Sequence, residues 1–317
     1  MSRFVSPVNA LSVHAKYASQ NGYDSFAFAD IIKRHTDDNK ELKKGDYLAR
    51  YLYDKERLGP KWRYYNSEKL TYMENSLGHR SHLELENLKG NWGLVVGCSH
   101  TEGIANYYTD IYHQKLATKL GMPFYNAGIG GGSIDMVFHN ALMIISSMKN
   151  NPPKYLIFQV TDPSRFLYMH TVNDHCISTV GSWSQDKAHQ DIILANEILQ
   201  IPVTRLNISL LQLSSLCTRF GIKFIPLDCF WLDILSEMCE GNHLKISKQV
   251  FHSLPESYFI EQKQMLKRID EAKKSFTSNI DEINYILARD MAHSGAGYHE
   301  EVSVFLANVI NSMEYPS

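Results

Sequence analysis

Three residues of this chain have the types and the order that nucleophilic catalysis needs. Ser99 follows a short apolar run, residues 94–96, and precedes an amphipathic helical pattern, which predicts a buried strand that delivers it to a helix N-terminus. Asp290 and His293 lie near the C-terminus, at a spacing that lets a carboxylate hold an imidazole in the tautomer of a general base. Ser99 is therefore the candidate nucleophile. The alternative that Ser99 only caps the helix stays open, because serine is a preferred N-cap residue.

A glycine-rich turn follows the second predicted strand. Its sequence, NAGIGGGS at 126–133, lacks the Lys-Ser/Thr pair of a phosphate-binding P-loop and the G-x-G-x-x-G frame of a dinucleotide site. Backbone N–H groups in such a turn can instead stabilise an oxyanion. An oxyanion-binding turn is therefore the better explanation.

The elements that must position these residues alternate between strand and helix from Gly93 onward. This alternation predicts an α/β fold with a doubly wound parallel sheet flanked by helices. Strands are predicted at 94–96, 124–125, 155–160 and 223–227, and helices at 101–120, 133–149, 205–220, 261–274 and 299–310. Residues 166–203 are expected to be irregular.

The first 90 residues differ from the rest, because aromatic and charged residues are mixed and clear strand patterns are absent. We predict an irregular helical N-terminal extension at 1–90 that packs on a main domain at 91–317. Its aromatic residues, Trp62 among them, are interpreted as anchors to the core, with a carbohydrate-binding surface as the alternative.

Composition excludes several classes of protein. A net charge of −2 over 317 residues provides no polyanion-binding face, so no nucleic-acid partner is expected. Five cysteines without a CxxC pair favour free thiols in a reducing compartment. The sequence has neither a signal-peptide h-region nor an apolar run of ~20 residues, which predicts a cytoplasmic or virion-associated protein without a membrane contact. No metal site is predicted, and His299 is interpreted as a helix-surface residue.

From about Gly93 to the C-terminus the chain resembles the SGNH (GDSL-type) hydrolases. Gly97-Cys98-Ser99 matches the block with the nucleophile, residues 126–131 match the second block, and Asp290 with His293 matches the last. The polar segment 75–81 and the GCSHT sequence are similar to those of uncharacterised phage-encoded members. The resemblance implies a flavodoxin-like, SGNH-type sheet and a Ser99-His293-Asp290 triad. It also implies an oxyanion hole built from the Ser99 and Gly131 N–H groups, and no cofactor.

The third block departs from the family pattern. The family has Gly-x-Asn-Asp after a strand, whereas this chain has VTDPSR at 160–165, so the oxyanion asparagine has no counterpart. Loss of one such donor can lower the rate by about 10²–10³. Thr161 is predicted to replace it, with Ser164 as the alternative. In the first block, Cys98 stands in place of the usual aspartate, which supports the turn and does not react.

These observations predict a serine esterase or deacetylase that acts on an acyl ester, with a small-molecule or O-acetylated carbohydrate substrate. An acyltransferase of the same fold, in which a sugar hydroxyl replaces water, fits the same residues. A third hypothesis is a structural or binding protein of a virion with weak or no catalysis, favoured by the altered third block.

Overall fold

The computed structural model describes residues 55–66, 75–170, 176–181, 187–198, 201–228, 254–255, 257–274, 279–288 and 293–314. Two predictions fall wholly or largely outside these residues: the position of Asp290, and most of the N-terminal extension. Within the described ranges, none of the helices combines the length and apolar character that a membrane crossing requires.

Four parallel strands form the central sheet. The described strands are β1 (Gly93–Gly97), β2 (Phe124–Gly128), β3 (Tyr155–Gln159), β4 (Phe166–His170), β5 (Cys176–Val180) and β6 (Lys223–Leu227). The sheet has the order β2-β1-β3-β6, while β4 and β5 pair as a separate antiparallel hairpin. Strand β1, which precedes Ser99, therefore lies between β2 and β3.

Helices cover both faces of the sheet. The described helices are α1 (Ser99–Glu102), α2 (Tyr112–Leu120), α3 (Ile134–Ser147), α4 (Lys187–Ile198), α5 (Ile201–Phe220), α6 (Tyr258–Lys274), α7 (Ile280–Ile286) and α8 (Ala296–Glu314), with 3₁₀ turns at Leu85–Asn87 and Tyr108–Asp110. Apolar residues of α3 and α5 pack against one face, and those of α2, α6 and α8 against the other. The predicted doubly wound α/β fold is confirmed.

The strand sequences are apolar because helices cover both faces of the central sheet. Leu94 and Val96 point into the core formed with α3 and α5, whereas Val95 points into the core formed with α2 and α8. All three are 0% exposed. A parallel strand covered on both faces has a continuous apolar run and no polar alternation, as β1 does.

Two predictions of local structure are wrong. The helix predicted at 101–120 is divided, because Gly103 takes the left-handed conformation (φ 80°) and ends α1 after one turn. The chain then passes through a 3₁₀ turn before α2 begins at Tyr112. The segment 166–203, expected to be irregular, contains the β4–β5 hairpin, α4 and the start of α5. Strands β4 and β5 are five residues each, and an apolar run this short does not distinguish a strand from other structure by its pattern.

The described N-terminal residues pack against the main domain. Trp62 and Tyr64 are 2% and 0% exposed and form a small apolar cluster with Ile283, and their role as anchors stays a prediction. In the segment 75–81, the Asn75 side chain donates to the Tyr125 hydroxyl on β2 (2.7 Å) and accepts the N–H of His79 (3.1 Å). The division of the chain at residue 90 stays a prediction.

Candidate active site

Ser99 is the first residue of α1, directly beyond the end of β1. Cys98 occupies the N-cap position and makes no side-chain capping bond. The alternative in which Ser99 only caps the helix is therefore wrong, since its side chain lies one residue too far along the chain. Ser99 is 8% exposed, and among the described residues neither its hydroxyl nor its N–H makes a hydrogen bond. A hydroxyl placed at the start of a helix and not engaged elsewhere is available for chemistry.

The close approach of α1 to the sheet depends on glycines at the ends of β1 and β2. A Cβ on Gly97 would lie 2.1 Å from Thr101 Oγ1, and one on Gly128 would lie 2.4 Å from the backbone nitrogen of Glu102. Real Cβ atoms essentially never approach that closely. The two glycines therefore let α1 rest directly on the strand ends and hold Ser99 over the sheet edge.

The glycine turn lies beside α1 at the same edge. The Asn126 side chain accepts the N–H of Gly128 (3.0 Å), and the Ile129 N–H donates to Gly97 O (2.9 Å). Gly131 has φ 71°, and a Cβ there would meet nothing within 4 Å, so this residue borders open space. Its N–H, like that of Ser99, donates no hydrogen bond within the described part of the chain. Two backbone N–H groups that donate no hydrogen bond among the described residues thus lie at the same edge of the sheet, one at the start of α1 and one in the glycine turn.

Thr161 follows β3, which pairs with β1, so the third block lies at this edge as predicted. The Thr161 hydroxyl donates to Gly132 O (2.9 Å) and accepts from Arg165 Nη1 (3.1 Å). Its single proton is therefore directed at the glycine turn, and an oxyanion contact from the hydroxyl would require that bond to break. The role of Thr161 as a donor stays a prediction. The Ser164 hydroxyl also donates its proton within the protein, to Asp162 Oδ1 (2.7 Å).

His293 lies beside α1, immediately before α8. Its ring centroid is 5.1 Å from that of His100, the residue after the candidate nucleophile. Its carbonyl accepts the Ala288 N–H (2.9 Å), and the adjacent Ser294 carbonyl accepts from the Asn106 side chain (2.8 Å). No hydrogen bond joins the Ser99 hydroxyl to the His293 ring, so their catalytic pairing stays a prediction, as does the contribution of Asp290.

His299 is not a surface residue, and that prediction is wrong. It is 1% exposed, and its Nδ1 accepts the N–H of Tyr112 (3.3 Å) at the start of α2. The reason is that α8 begins at Ala296, which places His299 in the first turn, facing α2. Burial, with a contribution from the Lys115 cation, lowers the pKa of His299 to about 3. The imidazole is therefore neutral at physiological pH.

Arg80 is a buried contributor that the sequence patterns did not reveal. It is 2% exposed, and its guanidinium donates to the carbonyls of Gly103 and Asn106, the latter at 2.7 Å. These carbonyls lie just beyond the end of α1, where a cation is favourable for a helix. Nothing in the sequence indicated that Arg80 is buried, because it lies in the segment 75–81 that was interpreted as a polar turn. Arg80 thus ties the N-terminal segment to the helix that carries Ser99.

Glu102, the last residue of α1, was also not singled out by the sequence patterns. Its carboxylate lies against the Gly130 backbone, with Oε2 2.9 Å from the position that a Cβ would take, and burial raises the pKa of Glu102 to about 7 against the opposing effects of Arg80 and His293. This carboxyl group is therefore part of the surroundings of both the glycine turn and His293. Among the described residues, no three metal-ligating side chains are grouped closely enough to hold an ion.

Comparison with known proteins gives structural neighbours only. No family model and no curated protein matches the chain. A protein described as a candidate lipolytic member of the G-D-S-L family from Desulfitobacterium hafniense is 10% identical, with a TM-score of 0.38 over 69% of this chain and 99% of that one. A member of the lipolytic G-D-S-L family from Veillonella parvula is 14% identical, with a TM-score of 0.35 over 70% and 99%. An α/β hydrolase enzyme from the metagenome of Lake Arreo is 10% identical, with a TM-score of 0.37 over 73% and 99%. Similarity at this level leaves the family open, and the case for function rests on the residues themselves.

Proposed function

We propose that this protein is a serine esterase or deacetylase that hydrolyses an acyl ester, with Ser99 as its nucleophile. The observation that carries the proposal is the Ser99 hydroxyl, which makes no hydrogen bond with the described residues at the N-terminus of α1. The unengaged N–H groups of Ser99 and Gly131 support it, because acyl transfer needs donors for the oxyanion.

The reaction proposed for these residues proceeds through a covalent intermediate. Ser99 Oγ attacks the ester carbonyl, His293 takes the hydroxyl proton, and the N–H groups of Ser99 and Gly131 bind the oxyanion. Collapse of the tetrahedral intermediate breaks the bond to the alcohol, which leaves with the proton from His293. Water then attacks the acyl-enzyme by the same route and releases the acid. Asp290 is assigned the role of orienting the His293 ring.

The substrate class is part of the same proposal. An O-acetylated carbohydrate is the substrate class that we propose. A sugar hydroxyl in place of the water would make the same residues an acyltransferase, and the ratio of acylated sugar to free acetate separates the two reactions.

A fluorophosphonate, which phosphonylates activated serines, tests the proposal directly. We expect the wild-type protein to be labelled, the label to map to Ser99, and Ser99→Ala to abolish it. Ser215→Ala is the matched control, since this exposed hydroxyl on α5 is bonded to Leu211 O (2.9 Å) and lies outside the proposed site. Folded wild-type protein that resists labelling would instead favour a binding role, such as that of a virion component.

A further inference from the structure

Asn106 lies between α1 and the 3₁₀ turn at Tyr108–Asp110, and it is completely buried (0% exposed). Its amide nitrogen donates to Ser294 O (2.8 Å) and to Ile104 O (3.1 Å). Its amide oxygen accepts the hydroxyl proton of Tyr64 (3.1 Å). One buried side chain therefore joins the segment after α1 to the segment before α8.

The neighbours of Asn106 determine which way its amide faces. In the opposite orientation its oxygen would face the carbonyl oxygens of Ile104 and Ser294, and a pair of acceptors makes no hydrogen bond. The Nε2 atom of His299 lies 3.4 Å from the amide nitrogen, which is a longer contact than that to either carbonyl. The Asn106 amide therefore acts as the donor to both carbonyls.

Three hydrogen bonds in series connect the main chain of Ser99 to that of Ser294. The Ile104 N–H donates to Ser99 O (3.0 Å). The Asn106 amide then donates to Ile104 O, and the same amide donates to Ser294 O. Ser294 directly follows His293 in the chain. The candidate nucleophile and the candidate base are thus linked through one amide group.

The segment 293–295 is held on its other side by the main chain of 286–288. Two hydrogen bonds, at 2.9 and 2.8 Å, flank an antiparallel bridge between Leu287 and Ser294. A residue between two such bonds has its own N–H and C=O directed away from the partner strand. The Ser294 carbonyl is therefore directed to the opposite side, where Asn106 binds it.

We propose that Asn106 is a positioning residue of the candidate base, which holds His293 beside α1 by binding the carbonyl of the next residue. This inference rests on the proposed esterase function, in which His293 takes the proton of Ser99. Asn106 touches neither the substrate nor the reacting atoms, and it acts through the segment 293–295. Proton transfer needs the two heavy atoms at about 2.6–3.2 Å, so a small shift of this segment is enough to prevent it.

Labelling kinetics provide the first test. We measure, for a fluorophosphonate, the dissociation constant of the initial complex and the rate constant of Ser99 phosphonylation in wild type, Asn106→Ala and Asn106→Asp. At about pH 8, Asn106→Asp keeps the size of the side chain and an acceptor for Tyr64, but its carboxylate has no proton for Ser294 O. The rate constant should fall by up to about 100-fold in both variants, because a misplacement of 1 Å can have that effect. The dissociation constant should stay unchanged, since Asn106 does not contact the ligand.

Asn151→Ala is the matched control. The Asn151 amide also donates to a main-chain carbonyl, Leu88 O (2.9 Å), but it lies before the start of β3, at the other end of the sheet. We expect Asn151→Ala to lower the melting temperature and to leave the phosphonylation rate unchanged. A purely structural role of Asn106 would have the same signature. Folded Asn106 variants that phosphonylate as fast as Asn151→Ala would therefore overturn the proposal.

A second readout is independent of activity. The ring centroids of His100 and His293 are 5.1 Å apart, so a nuclear Overhauser effect is expected between their carbon-bound protons. The two rings are identified by the loss of their signals in His100→Gln and His293→Gln. The effect should be present in wild type and in Asn151→Ala, and weaker or absent in the Asn106 variants. Its absence from wild type would overturn the proposal even if neither Asn106 variant folds.

The two measurements also separate this inference from the proposed function. Absence of labelling in folded wild type would reject the esterase proposal, and the contact between the rings would still show whether Asn106 holds His293 beside α1. Normal labelling of wild type, with an unchanged rate and an unchanged ring contact in Asn106→Ala, would keep the esterase and reject the positioning role.

Discussion

Gly128→Ala tests whether the direct contact between α1 and the sheet positions Ser99, the proposed nucleophile. The substitution adds a single methyl group at the end of β2, facing the backbone of the helix that begins with Ser99. The methyl carbon would lie 2.4 Å from the nitrogen of Glu102 and 2.8 Å from the carbonyl carbon of Thr101. Both are main-chain atoms, so no side-chain rotation can relieve the overlap.

The size of the effect follows from these distances. Ordinary van der Waals contact begins at 3.4 Å, so α1 must move away from β2 by about 1 Å. Because Ser99 is part of α1, it moves with the helix, and a displacement of that size can lower the rate by about 100-fold. The free energy of unfolding should fall by about 1–3 kcal/mol, as for other overpacked sites.

Gly121→Ala is the matched control. Gly121 ends α2 with φ 61°, and the added methyl group would meet nothing within 4 Å, so the substitution introduces left-handed strain without an overlap. We expect a loss of about 1–2 kcal/mol in stability and an unchanged labelling rate. Thermal unfolding and fluorophosphonate kinetics on both variants provide the measurement. Gly128→Ala protein that is destabilised but labels as fast as Gly121→Ala would refute the positioning argument.

Two further predictions concern buried polar groups. Thr161→Val removes the hydroxyl bonded to Gly132 O, and we expect turnover of a short acyl ester to fall, by up to about 10²–10³ if that hydroxyl also reaches the oxyanion. Unchanged turnover, together with a loss in Ser164→Ala, would assign the role to Ser164. His113 is fully buried, neither ring nitrogen has a hydrogen-bond partner among the described residues, and burial lowers its pKa well below 6.5. As the pH falls below about 6.5, His113 therefore takes up a proton in the unfolded protein but stays neutral in the folded protein. This difference lowers the free energy of unfolding in acid. We expect His113→Phe to raise the melting temperature most at low pH, and equal slopes of melting temperature against pH in the two proteins would contradict this.

The sheet could be predicted from the sequence because burial on two faces leaves a direct signal. The apolar runs of β1 and β3 are continuous, and Gly121 ends α2 as its position before a proline suggested. The division of the predicted helix at Gly103 could not be anticipated from periodicity, because a glycine inside a helical pattern is compatible with either outcome. The left-handed conformation of Gly103 in the structure shows that the helix ends at this residue.

The candidate site residues that belong to a local sequence motif could be predicted. The residues that contribute through contacts between distant parts of the chain could not. The positions of Ser99 and Gly131 followed from the strand ends and the glycine pattern. The position of Asp290 lies outside the described residues and stays a prediction. Asn106 gave no signal, although its side chain donates to the carbonyl beside His293. Its partner is 188 residues away in the chain, and such a contact has no local pattern.

A buried cation links the N-terminal segment to α1, the helix that begins with Ser99. The guanidinium of Arg80 satisfies the carbonyls beyond the end of α1, and its charge favours the ionised form of Glu102 against burial. Without Arg80 the two carbonyls would lose this donor, although Gly103 O would still accept the Asn106 N–H (3.2 Å), and the pKa of Glu102 would rise further. The predicted division at residue 90 therefore separates Arg80 from the carbonyls that it binds, so the segment around Arg80 supports the helix that begins with the proposed nucleophile.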